Sequence, residues 1–177
     1  MGAIKVCITF IFLLIVQLGL AQQKDDVLWQ RENRLEWSDF KGKPSRTSNA
    51  SAVTASGIAY SFSTFRKNDK IEIDFQVTSY FYPQNSWVRN TITDTLILNH
   101  EQLHFDITEI YTRKLRREFA EATFSDNVKA EVKAIYEQII KELNDFQNLY
   151  DKETNFSRNY EKQLEWNKQV SMALEQH

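Results

Sequence analysis

His100-Glu101-Gln102-Leu103-His104 sets two imidazoles four residues apart with a carboxylate between them. On a helix such positions share one face, a turn apart, so both rings can reach a single ion. Glu101 then stands beside that ion, where a carboxylate can take a proton from an activated water. The chain has three histidines, and two of them lie here. The plainer alternative is an amphipathic helix whose histidines pack or cap. The helical periodicity around the motif favours a metal site, and the ion this pattern predicts is Zn²⁺.

The surrounding periodicity says what must position these groups. Asp94 predicts an N-cap for a helix through the motif to about Ala122, with Leu96, Leu103, Ile107, Ile110, Tyr111 and Leu115 as its apolar side. Arg113, Lys114, Arg116 and Arg117 read as a solvated face that complements the helix dipole. A second helix follows from Val128, Val132, Ile135, Ile139, Leu143, Phe146 and Tyr150, with Ser125 as its cap, and a shorter third spans Tyr160 to Leu174. Upstream, an aromatic segment over 28–40 opens the fold, and Gly42-Lys43-Pro44 marks a turn before a polar loop. Val53 to Phe62 and Ile71 to Val77 alternate with period two, joined by a turn at Lys67-Asn68-Asp69-Lys70, and Pro83-Gln84-Asn85-Ser86 closes the β region. The expected class is α+β: a small antiparallel sheet followed by packed helices, in one domain over 22–177.

Lys5, the apolar run Val6 to Leu20 and the small residues Gly19-Leu20-Ala21 predict a cleaved secretory signal over 1–21, hence a periplasmic or secreted protein. The run is shorter than the roughly 20 residues of a membrane span. Cleavage would leave no membrane segment and would remove Cys7, the one cysteine. Any metal must then be held by histidine and carboxylate. The net charge of −2, or −3 without Lys5, gives no sign of a nucleic-acid or anionic-membrane partner.

His100-Glu101-Gln102-Leu103-His104-Phe105-Asp106-Ile107, continuing Thr108-Glu109-Ile110-Tyr111, resembles a bacterial secreted family regarded as zinc-dependent proteases yet still classed as a domain of unknown function. Leu35-Glu36-Trp37-Ser38-Asp39-Phe40-Lys41-Gly42, Ser86-Trp87-Val88 and Tyr150-Asp151-Lys152-Glu153-Thr154 resemble it too, in the same order. The resemblance implies an extracytoplasmic protein with a zincin-like metal helix. Its members tend to carry a histidine two residues after the threonine of the last segment, where this chain has Phe156.

Catalytic zinc takes three protein ligands and a water. Near the end of the second helix the candidates for the third are Glu153, the tentative choice, and Asp151, the alternative. Asp106 is assigned to orienting a ligating imidazole, and Glu109 is turned away along the helix. Tyr111, Tyr150 and Tyr160 could stabilise an oxyanion, or simply pack. The function expected is an extracytoplasmic zinc-dependent metallohydrolase, a peptidase with Glu101 as general base. Its partner would be a peptide or protein substrate, which could add itself as a strand to an exposed sheet edge. The alternative is an inactive homologue serving as an envelope binding or scaffold module, which Phe156 favours. A purely structural envelope protein, with Trp29, Trp37, Trp87 and Trp166 as a surface patch, is a third reading; tryptophans are more often core anchors.

Overall fold

The long alternating segments pair with each other first. In the computed structural model, which describes residues 26–68, 70–89, 91 and 94–176, β1 is Val27–Leu28, β2 Ala52–Val53, β3 Ser56–Lys67, β4 Lys70–Phe81 and β5 Trp87–Val88. β3 and β4 form an antiparallel hairpin from Lys67↔Lys70 to Ser56↔Phe81, with Asn68 left-handed (φ 49°) in the turn. That register puts Ile58, Tyr60 and Phe62 opposite Ser79, Val77 and Phe75, so one face of the hairpin is apolar. The expected small sheet is in fact two: a three-stranded sheet of order β1-β4-β3 and a separate β2-β5 pair. The proposed signal segment lies outside the described residues.

Three helices follow: α1 Thr95–Glu121, α2 Val128–Glu153 and α3 Tyr160–Glu175. The α+β class stands. Asp94 caps α1 as expected, its carboxylate accepting from Leu96 N at 2.7 Å. Ser125 is not the cap of α2. Asn127 holds that position, and Ser125 instead accepts from Asn127 N and reaches Glu131 through both its hydroxyl and its amide.

α1 runs through the middle of the domain, and every residue from His100 to Glu109 is buried. Such a helix must satisfy polar groups on several sides. Leu103, Ile107, Leu115 and Phe119 pack into a core with α2, α3 and the hairpin, where Phe119 meets Tyr60 and Phe75 edge-on. Phe105 joins Phe81, Phe40 and Leu35 in a smaller core beneath the N-terminal segment. The aromatic motif over 35–42 therefore covers the side of α1 turned away from α2. The basic residues of α1 do more than face solvent. Arg113 and Arg116 hold buried Glu109, Arg113 also reaches the Leu174 carbonyl, Arg116 the Val77 carbonyl, and Lys114 pairs with Glu142. Trp87 and Trp166 are buried, and Trp29 and Trp37 are partly buried against the apolar cores, so the tryptophans anchor the fold.

Candidate metal centre

The i, i+4 spacing places both imidazoles toward α2, as expected. Their Nε2 atoms converge on one oxygen: Oδ1 of Asp151 lies 3.1 Å from Nε2 of His100 and 3.0 Å from Nε2 of His104. Among the described residues this is the one group of three or more histidines and acids whose ligand atoms lie within 4.8 Å of one another. The tentative choice of Glu153 is corrected here. Two residues beyond Asp151 on a helix is about 200° round the axis, and the Glu153 carboxylate accepts from Trp166 Nε1 of α3 at 2.9 Å.

The other ring nitrogens identify the hydrogen that each imidazole carries. Nδ1 of His100 lies 3.0 Å from Oε1 of Gln163, and Nδ1 of His104 lies 3.2 Å from Oε1 of Gln147. Gln147 is fixed in that orientation because its amide nitrogen donates to the His104 carbonyl and to Thr108 Oγ1. Gln163 is fixed by donating to Asn167 Oδ1 and to the Tyr150 hydroxyl. With Nδ1–H donating, each neutral ring aims a bare lone pair from Nε2 at a carboxylate oxygen. Three electron-rich atoms pointing at one place repel unless a cation stands between them, either a proton or a metal. The observed 3.0–3.1 Å separations are close to the roughly 3.4 Å between ligands of a tetrahedral zinc site with bonds near 2.1 Å. The donor set fits a divalent zinc-like ion.

Asp106 does not orient an imidazole, contrary to expectation. It lies on the opposite side of α1, accepting from Trp29 Nε1, Gln102 Nε2 and Arg34, and so fastens the N-terminal segment. The orienting role falls to Gln147 and Gln163, which hydrophobic patterning did not mark because a glutamine inside a helix is ordinary. Tyr150 is wholly buried, stacked on the His100 ring with its hydroxyl turned to Gln163 and the His100 carbonyl, and burial pushes its pKa well up. Tyr111 packs on Phe146, and Tyr160 is exposed at the start of α3.

Burial opposes charge on His104, but the Asp151 carboxylate and the nearby Glu101 outweigh it and raise its pKa above the usual imidazole value. Burial likewise pushes Asp151 up, and the two imidazoles more than reverse this, holding it well below the ordinary carboxylate range. Glu101 is 5% exposed, and its Oε2 is buried without a hydrogen-bond partner. A buried carboxylate oxygen left unpaired is costly, and it marks a place where a water or ligand polar group belongs.

These groups open into a cleft of about 560 Å³. Residues 48–54 form one wall, and Phe156, Ser157 and Arg158 contribute the other. The first wall is held from behind. Arg89 gathers the carbonyls of Ser45, Ser48 and Ala50, and Thr54 Oγ1 donates to the Glu101 carbonyl at 3.0 Å. Buried Ser86 fixes the entry to β3 by accepting from Ala55 N. Because Ser51 O accepts from Arg89 N, antiparallel alternation turns the backbone groups of Ala52 and Thr54 away from β5. A hollow of about 630 Å³ between β3 and α2, lined by Tyr60, Phe62, Lys133 and Tyr136 among others, has no metal-ligating cluster.

Residues 42–158 match the family described as "Bacterial protein of unknown function (DUF922)", a span that includes His100, Glu101, His104, Gln147 and Asp151 and ends before Gln163. No curated protein matches the chain, and no solved structure does.

Proposed function

We propose that this chain, which belongs to the DUF922 family of bacterial proteins of unknown function, is a zinc-dependent hydrolase of peptides that works outside the cytoplasm. The observation that carries this reading is the convergence of His100, His104 and Asp151 beside the unpartnered Oε2 of Glu101. His100 and His104 would hold the ion through Nε2 and Asp151 through Oδ1. The ion's contribution is Lewis acidity, which makes water ionisable near neutral pH and polarises a scissile carbonyl.

The remaining steps belong to the chain. Glu101 Oε2 accepts the proton of the attacking water and passes it to the leaving amine. Gln147 and Gln163 keep the Nδ1–H tautomers in place, so both Nε2 lone pairs stay available. The free side of the Ala52–Thr54 segment supplies backbone donors and acceptors to an extended peptide, which pairs as an added strand. Asp151 supplies a third ligand, so Phe156 gives no reason to read the chain as a retired enzyme.

The test is Glu101→Gln in the chain from Gln22 onward. Zinc content should match the wild type, while cleavage of a mixed peptide library falls by about 10²–10⁴-fold. Zinc-loaded wild type that cleaves no peptide would leave the binding-module reading in its place.

A further inference from the structure

The chain leaves α2 through an unusual turn. Asn155, Phe156 and Ser157 are three consecutive non-glycine residues in the left-handed region, with φ of 48°, 52° and 70°. Residues with a side chain visit that region at a cost and normally singly, asparagine more readily than most, and only glycine enters it freely. The turn persists because it is braced. Thr154 is wholly buried and donates twice to the Tyr150 carbonyl, Phe156 N donates to Asp151 O, and Asn159 N donates to Thr154 O. Its effect is to bring Phe156, Ser157 and Arg158 back to the cleft that Asp151 lines. The Phe156 ring remains 60% exposed. Arg158 is exposed, its guanidinium has no partner among the described residues, and it is the one arginine or lysine lining the cleft.

Strain and an exposed aromatic ring are both unfavourable for the folded chain alone, and here they coincide at the mouth of one cleft. Strain held by surrounding structure is a mark of a functional position. We propose that this turn selects the substrate: Phe156 receives a bulky apolar side chain next to the scissile bond, and Arg158 receives a carboxylate further along the same peptide. The carboxylate is either an acidic side chain or the peptide's own terminus. This proposal rests on the metal-centre reading above and concerns which peptides that centre meets.

Peptide hydroxamates test it by binding, with no turnover required. The zinc-loaded chain from Gln22 is titrated calorimetrically with acetohydroxamate and with hydroxamates bearing Leu-Glu amide, Leu-Gln amide, Gly-Glu amide, Leu-Ala acid and Leu-Ala amide. Wild type should prefer leucine over glycine, and one of the two carboxylate forms over its neutral partner, each by about tenfold. Phe156→Ala should erase the leucine preference alone. Arg158→Gln should erase the carboxylate preference alone, and Arg158→Glu should reverse it. Whichever pair, Glu against Gln or acid against amide, shows the preference identifies the source of the carboxylate. Phe156→Gly relaxes the left-handed position, so it should melt at or above the wild-type temperature while losing leucine selectivity, which a merely structural ring would not do. Equal affinities for all five peptides, or preferences that survive Phe156→Ala and Arg158→Glu, overturn the proposal. Failure of acetohydroxamate itself to bind overturns the metal-centre reading and this proposal with it.

Discussion

Oδ1 of Asp151 lies 3.0 Å from Nε2 of His104, although the two residues are 47 positions apart. The same oxygen lies 3.1 Å from Nε2 of His100. One carboxylate oxygen thus meets two imidazoles whose other nitrogens are already engaged by glutamines.

The glutamines act on affinity. Replacing Gln147 with Met removes the acceptor at His104 Nδ1 while keeping most of the side-chain volume. Zinc affinity should fall about 10- to 100-fold in competition with a chelator. Gln147→Glu should move affinity the other way, since a carboxylate makes the ring a more basic ligand. Unchanged affinity in both would mean that Gln147 only packs.

The metal-free protein should respond to pH through the same atoms. His104 has a raised pKa, so its contribution is complete below about 6.5 and is lost as pH rises through the raised value. Asp151 has a lowered pKa, so its contribution is complete above about 3.9 and is lost as pH falls through the lowered one. Melting temperature in a chelator should therefore peak in mildly acidic buffer and decline toward alkaline pH. Zinc needs the deprotonated rings and should abolish that decline. A flat metal-free profile from about pH 5.5 to 8.5 would contradict the pairing.

Glu101 sets activity against stability. Its Oε2 is a buried, unpaired charged-group oxygen. Glu101→Gln removes the charge, and at alkaline pH, where His104 is neutral and gains nothing from that charge, the metal-free variant should be more stable by about 1 kcal/mol in urea or heat. A Glu101→Gln destabilised at that alkaline pH would show that Oε2 has an acceptor role in holding the fold.

Much of this architecture was legible in the sequence, and what was missed has a common cause. Asp94 to Ala122, the apolar stripe of α2 and the β3–β4 alternation are local signals, and each matches its element. The third member of the cluster is not local. Viewed down α2, Asp151 and Glu153 sit on opposite shoulders of the stripe Leu143, Phe146 and Tyr150, and periodicity cannot say which shoulder meets α1. Packing decides it: α3 takes the Glu153 side through Trp166, and α1 takes the Asp151 side. Asp106 was misplaced for the same reason, since its partners Trp29 and Arg34 come from a segment far away in sequence. The left-handed turn gave little signal: Asn155 is its one residue of a type that takes this conformation readily, and Phe156 and Ser157 are not.

Gly42 shows how the N-terminal motif supports the cleft wall. A Cβ there would stand 2.7 Å from Ser86 O and 2.8 Å from Gln84 O, both backbone atoms that cannot step aside. Gly42→Ala should cost about 1–3 kcal/mol, lowering the melting temperature with zinc still bound. An unshifted melting curve would mean that the 84–86 turn moves freely.

The central claim is that Asp151, with His100 and His104, holds a metal. The direct measurement is zinc per chain, by elemental analysis of untagged protein from Gln22 after loading and exhaustive dialysis. The account predicts near one equivalent in wild type and in Glu153→Gln, and loss in His104→Ala and Asp151→Ala. Zinc retained by Asp151→Ala but lost from Glu153→Gln, or absent from the wild type, would contradict it.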